Sequence, residues 1–277
     1  MNGLVKPGDP AKGILRMEAG LDHFELKRQQ PAVALLPWID SYWSVEWNLG
    51  EQQFSQENIP HPSVNLSFEN SGTGFLPFLT GIWPRNYLRH LTGTGRVFGV
   101  KFRPAMFRAW WQIPVGSLTG QVVALPSFRG FGLAPLCQEF GSMEPKFAFG
   151  ELDHILRGLV PPPDPQGEAI RDLIDLMQTD RSIQTTIEVA ERLGVDVRTA
   201  QRLFLAWVGV GPKWIIMRYR IHDAIDRLGG GTASLDIDLG NLALDLGYWD
   251  QAHFTHEFVR MTGQTPDAYR RKKWQQV

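Results

Sequence analysis

The sequence predicts an α+β protein of two unlike domains, a small β-barrel with two helices followed by an all-helical domain. Three observations carry this. Residues 41–102 hold short runs of alternating hydrophobicity, the period of a half-buried strand. Residues 161–165 read Pro-Pro-Pro-Asp-Pro, which neither a helix interior nor a central strand accepts. Beyond them one pattern is written twice, offset by 53 residues at its first glycine and 54 at its later landmarks. The predicted divisions are a barrel domain with its helices at 1–160, a stiff linker at 161–167, and a helical domain at 168–277.

At 277 residues the chain can build two cores. A composition of 43% hydrophobic and 21% charged residues argues against a disordered chain. No apolar run approaches the ~20 residues that cross a bilayer, so no membrane partner is expected. Residues 1–12 are polar, without the basic start and apolar stretch of a secretory leader, which predicts a cytoplasmic protein. The one cysteine, Cys137, excludes an internal disulfide and a multi-cysteine zinc site. Its neighbours Leu136 and Phe140 predict a buried thiol.

In the first domain, strands are expected at 41–49, 63–69, 75–83, 87–91 and 96–102. Val64, Leu66 and Phe68 share one face, and Thr92-Gly-Thr-Gly95 reads as a hairpin between the last two. Short strands in succession predict a barrel or sandwich. Leu133, Leu136, Phe140 and Met143 then fall at helical spacing. So do Phe149, Leu152, Ile155, Leu156 and Leu159, a stripe that suits either core packing or an antiparallel dimer seam. A homodimer therefore stays open.

After the prolines, helices are expected at 168–178, 183–193, 197–207, 213–228, 237–246, 250–261 and 266–273. Ser182, Asp196 and Asp250 stand where helix starts need caps. Gly211-Pro212 and Thr265-Pro266 place proline at a first helical position, and Gly229 to Gly231 ends the long central helix.

The repeated pattern lies within these helices. Its first copy is Val189 to Gly194, Ala200 to Phe204, Gly209 and Pro212. Its second is Leu242 to Gly247, Phe254 to Phe258, Gly263 and Pro266. An apolar helix, a glycine break and an amphipathic helix make a helix-turn-helix. Chance must succeed twice in the same order to write it twice. Winding 197–207 at 100° per residue puts Ala200, Leu203, Phe204 and Trp207 on one side. Arg198, Gln201, Arg202 and Leu205 fall on the other. Arginine can bond both guanine acceptors in the major groove, and glutamine can bond adenine. In the second copy Phe254, Phe258 and Met261 point inward, while Gln251, Ala252, Thr255, His256 and Val259 face outward. Ala252 suits a thymine methyl and Thr255 a phosphate or base edge. The second face is poorer in charge, which predicts weaker binding. Both faces would also suit merely solvated helices.

Net charge is −1, and beyond Pro165 there are 14 Lys+Arg against 15 Asp+Glu, again −1. Nucleic-acid-binding domains are usually basic. Here basic patches are expected from Arg198, Arg202, Arg218, Arg220 and the run Arg270 to Lys273, with Asp223, Asp226, Asp236 and Asp238 gathered elsewhere. Non-specific affinity should be modest, because few phosphates are neutralised.

Residues Leu242 to Arg270 resemble the carboxy-terminal signature of AraC/XylS-type transcription regulators, and Val189 to Pro212 resemble that family's first motif. The resemblance spans about 170 to 273. It implies seven helices, with the helix near 213–228 holding two recognition helices in adjacent major grooves. By position it implies DNA contact by Arg198, Gln201, Arg202, Gln251, Ala252, Thr255 and His256. It implies double-stranded DNA as partner, and RNA polymerase if the protein activates. The sequence departs from the family at Ala200, usually Leu, at Ala252, usually Ser, and at His256, often Arg. The first trims the core; the other two weaken the second grip.

Leu36-Pro-Trp38, Trp43, His61 to Leu66 and Val100 to Pro104 resemble an uncharacterised amino-terminal domain of some such regulators. In the family this domain is often cupin-like and senses a ligand or dimerises. Six of the ten tryptophans (38, 43, 47, 83, 110, 111) lie here, either lining a pocket or filling a core. Trp43, His61, Trp83 and Arg103 are the effector-site candidates, with His90, Arg85 and Arg89 as further polar groups. His23, His61 and His90 are isolated, without a His-x-His pair, and no nucleophile elbow, P-loop or dinucleotide fingerprint occurs. The expectation is a non-enzymatic regulator without cofactor, activator or repressor. The alternative is an interaction or ligand-binding protein that keeps the helix-turn-helix scaffold without binding DNA.

Overall fold

A computed structural model describes residues 20–274, apart from 21, 71–74, 126, 129–130, 141–142 and 230. The polar stretch 1–12 lies outside the described residues.

The amino-terminal domain is built on one antiparallel sheet. Its strands are β1 (Phe24–Gln29), β2 (Ile39–Asn58), β3 (Asn65–Asn70), β4 (Phe75–Thr80), β5 (Tyr87–Phe102) and β6 (Val122–Ala124), in the order β1-β2-β5-β3-β4-β6. The predicted barrel is not closed. β1 and β6 stand at opposite edges with no ladder between them, and β6 is three residues long. Closure is not needed to cover the sheet, because helices bury one of its faces.

The predicted hairpin at 92–95 is also absent. β5 runs straight through it, paired with the 20-residue β2 on both sides. Asn48 faces Thr94 and Gln53 faces Thr92, so residues 49–52 bulge opposite Gly93. The glycines signalled a bulge in a long strand, not its end.

Three helices accompany this sheet: α1 (Phe107–Trp111), α2 (Ala134–Phe140) and α3 (Pro145–Gly158). Tyr42, Leu66, Phe68, Phe98, Val100 and Phe102 are buried on the helix side. Phe68 meets Phe140 edge-on at 4.9 Å, and Tyr42 stacks on Phe149 at 6.0 Å. Phe149, Leu152 and Leu156 are buried in this core. The stripe read as a dimer seam is therefore spent on the sheet. Cys137 is buried, and burial pushes its thiol pKa up.

The helical domain comprises α4 (Pro165–Leu176), α5 (Thr186–Arg192), α6 (Val197–Trp207), α7 (Pro212–Leu228), α8 (Leu239–Asp245), α9 (Gln251–Thr262) and α10 (Pro266–Trp274). Asp196 accepts from Thr199 N at 2.9 Å and Asp250 from His253 N at 2.7 Å, so the second helices of the two motifs share one kind of cap. Ser182 is not a cap. α5 starts later, at a capping box in which Thr185 and Glu188 satisfy each other's backbone amides.

The two domains share one core. Trp207 lies against Gly167 and under the Arg108 guanidinium, 4.8 Å from its ring centre. Thr119 Oγ1 donates to Gly209 O at 2.6 Å, Trp214 Nε1 to Pro84 O at 3.0 Å, and Arg103 pairs with Asp175.

Candidate nucleic-acid interface and cavity

Each helix-turn-helix is assembled from the same local parts. The turns between α5 and α6 and between α8 and α9 pass through Gly194 at φ +66° and Gly247 at φ +79°. A side chain there would strain the left-handed backbone. Ala200, Phe204 and Trp207 are buried in the first motif, and Phe254, Phe258 and Met261 in the second. α7 packs against both motifs. Arg220, on α7, reaches Gly247 O at 3.0 Å and Gln184 O at 3.2 Å, tying the second turn to the start of the first motif.

This leaves two outward faces. Arg198, Gln201 and Arg202 are exposed on the first, and Gln251, Ala252 and His256 on the second, with Thr255 half-buried beside them. Arg202 Nη2 rests on Thr199 Oγ1 at 3.2 Å. The carboxy-terminal end of α6 abuts the first domain at Gly116, with the Leu205 side chain still exposed. Trp249, 89% exposed in the turn ahead of α9, was not singled out in the sequence. A turn residue falls outside both helical wheels, so periodicity could not select it.

The charge map differs from the one drawn on the sequence. Arg218 is 1% exposed and buried between domains. Arg220 holds carbonyls, and Arg270 pairs with Asp267 and the carbonyls of Leu235 and Ile237. The side chains of Lys272 and Lys273 lie outside the described residues. Of the four single arginines and the basic run, Arg198 and Arg202 are the ones that face outward from a recognition helix. The acidic group is also dispersed: Asp238 caps α8 and Asp223 pairs with Arg181.

A cavity of about 530 Å³ lies against the sheet face opposite the helices. Strand alternation builds its wall. Phe24, Leu26 and Arg28 come from β1, Ser41, Trp43, Val45 and Trp47 from β2, Asn65, Ser67 and Glu69 from β3, and Val97 and Lys101 from β5. Trp43 faces Gly99 and Trp47 faces Gly95 across the β2–β5 ladder. A Cβ at either glycine would sit 2.1 or 2.0 Å from the indole. The missing side chains let both rings lie on the neighbouring strand. Trp43 Nε1 donates to Asn65 Oδ1 at 3.3 Å, and Trp83 stacks on Tyr87 at 5.6 Å.

Three of the four effector candidates, Trp43, His61 and Trp83, line this cavity. Arg103 does not; it binds Asp175 at the domain junction. Arg89 lines the cavity with Glu69 as its ion pair, while Arg85 and His90 are exposed elsewhere. Trp38 and Trp110 are core residues, in edge contact at 6.3 Å. The tryptophans thus divide between core and cavity. The sequence offered Trp47 among six tryptophans for core or pocket and missed Arg28 and Lys101 as lining groups, because their side was set by pairing registers that a lone strand does not reveal. Among the described residues no group of His, Cys, Asp and Glu could hold a metal ion, and no helix is long and apolar enough to cross a membrane.

The architecture defines a two-domain chain, an antiparallel-sheet domain joined to a double helix-turn-helix. Residues 189–272 match the family described as a helix-turn-helix domain, and residues 27–124 match one described as a domain of unknown function. The carboxy-terminal region is thus a helix-turn-helix domain, and the family match extends over that region alone. A search of curated proteins finds no match. Among solved structures, a transcriptional regulator from Chromobacterium violaceum with an AraC-type DNA-binding domain is 21% identical. It covers 39% of this chain and 95% of its own, with a TM-score of 0.34. ToxT from Vibrio cholerae is 12% identical over 90% of this chain and 98% of its own, with a TM-score of 0.36. CdpR from Pseudomonas aeruginosa is 20% identical over 65% of this chain and 46% of its own, with a TM-score of 0.32.

Proposed function

We propose that the chain reads specific double-stranded DNA through α6 and α9 and is controlled by a small molecule held in the cavity of its first domain. The observation that carries the DNA reading is the exposure of Arg198, Gln201 and Arg202 at the amino-terminal end of a recognition helix whose opposite face is buried. Donors in that position match base edges in the major groove. The effector reading is supported by a built cavity, with indoles seated on glycines and a few polar groups among apolar ones. Its lining set is Trp43, His61 and Trp83 together with Trp47, Arg28 and Lys101. The reading is non-enzymatic.

The balanced charge of the helical domain favours the rival reading, an interaction protein that keeps the scaffold without binding DNA. The two separate in one experiment. Sequences bound by the full chain are selected from genomic DNA, and Arg202→Ala is titrated against the best site at low salt. If Arg202 touches a base or a phosphate, the substitution weakens binding by ~1–3 kcal/mol, about five- to 150-fold. Unchanged affinity, or no selected sequence at all, refutes the DNA reading.

A further inference from the structure

Arg218 stands in the middle of α7, the helix that packs on both motifs, and is 1% exposed. Its Nε donates to Pro60 O, and its Nη1 and Nη2 have no hydrogen-bond partner among the described residues. A guanidinium buried with two open nitrogens is expensive unless something charged meets it. Pro60 is itself part of the cavity wall. Beside it Lys101 and Arg28 line the same cavity, and Lys101 pairs with Asp40 at 3.2 Å. Lys101 shares its row of the sheet with Ser41 and Asn65, which also line the cavity.

Lys101 and Arg28 thus line this end of the cavity beside the Asp40 carboxylate, and Arg218 stands behind the wall at Pro60. Their mutual effect is felt in the proton equilibria. Burial lowers the Lys101 pKa, Asp40 opposes this, and Arg28 and Arg218 push it further down. Burial brings Arg218 to about 10, which still leaves it charged at neutral pH. The wall also offers an apolar and aromatic surface, Phe24, Leu26, Trp43, Val45, Trp47 and Val97, beside polar groups that include Ser67 and the Glu69–Arg89 ion pair. The volume of about 530 Å³ lies within the ~300–1,000 Å³ of small-molecule sites.

We infer that the cavity takes an acidic amphiphile, a carboxylate or phosphate monoester on a flat apolar body, with its acid group against Lys101, Arg28 and Arg218 and its body on Trp43 and Trp47. The inference rests on the effector reading above and adds the chemical class of the ligand. It also places the acid group against the helix that carries both DNA-reading motifs.

Isothermal titration calorimetry of the full chain tests it with three matched probes: biphenyl-4-carboxylate, biphenyl-4-yl phosphate and the neutral biphenyl-4-carboxamide. At least one acid should bind tenfold or more tightly than the amide. In Lys101→Met and in Arg218→Met that preference should fall towards unity while amide binding persists. Arg218→Met should stay folded by circular dichroism, since an apolar side chain replaces a poorly satisfied charge; Lys101→Met gives an independent reading. The tighter acid, carboxylate or phosphate, identifies the head group. An amide that binds as well as both acids overturns the anion inference and leaves the cavity reading standing, as does a preference that survives both substitutions. Silence from all three probes, in protein that still binds its selected DNA, overturns the cavity reading as well.

Discussion

The two helix-turn-helix motifs share a scaffold and differ in surface. Both start their recognition helix at an Asp cap, both turn through a left-handed glycine, and both bury a phenylalanine fully, Phe204 in one and Phe258 in the other. On that common frame α6 presents two arginines and a glutamine, and α9 presents a glutamine, an alanine, a threonine and a histidine behind the exposed Trp249. Their settings differ too. The end of α6 packs on the turn at Gly116, and Gly209, just beyond it, accepts from Thr119. The second motif meets the first domain at Gly263, beside Asn86. The repeat thus keeps what folds, whereas the groups on the outward faces differ between its two copies. The first motif is both the better equipped for base contact and the more tightly held by the amino-terminal domain.

The largest effect should be equal in the two motifs. Phe204→Ala and Phe258→Ala each remove a fully buried ring, and each should cost ~3–5 kcal/mol in urea unfolding. A cost near zero in the second motif would show that its core is not equivalent.

DNA binding should be unequal. Arg202→Ala should weaken binding by ~1–3 kcal/mol, and His256→Ala by distinctly less, in fluorescence anisotropy at one fixed salt concentration. The reverse order would invert the comparison.

The turns give a smaller, graded effect. Gly194→Ala and Gly247→Ala both meet the left-handed penalty of ~1–2 kcal/mol. At Gly194 a Cβ enters open space, but at Gly247 it comes within 3.1 Å of Gln184 and 3.2 Å of Arg220. Gly247→Ala should therefore be the more destabilising, as read by thermal melts. Equal melting points would mean that the Arg220 tie between motifs contributes nothing.

The smallest effect is electrostatic. Hydrogen bonds from the Thr199 side chain and backbone hold the Asp196 carboxyl below its ordinary value of 3.8. A depressed acid stabilises the fold above that value and loses its contribution as pH falls through its folded pKa. Asp196→Ala should lower the melting temperature at pH 7, and the difference from the parent should vanish in strong acid. A pH-independent difference would assign the effect to helix propensity instead of the charged cap.

How much was legible follows the range of each interaction. The limits of α6 at 197–207, its Asp196 cap and its buried stripe are set within one or two helical turns, and periodicity exposes them. The bulge at Gly93 was misread as a turn, because whether a glycine ends a strand depends on how far its partner extends. Closure of the sheet was misjudged for a related reason. Nothing local to β1 or β6 states whether they meet, and the helical cover that makes closure unnecessary lies well beyond β1 along the chain, at Ala134–Phe140 and Pro145–Gly158.

The arginines show the division most clearly. By itself the sequence determined the double motif, its cores, the Asp196 and Asp250 caps, and the donor-rich face of α6, since each follows from residues a few positions apart and from the helical period. It ranked Arg218 with Arg198 and Arg202, because side-chain type is all that a sequence shows. Only the tertiary structure decided that Arg218 is buried against Pro60, that Arg103 belongs to the domain junction, and that Trp43 and Trp47 lie flat over glycines of a neighbouring strand. Burial and charge pairing are properties of segments far apart in the chain, brought together when two domains close over one core.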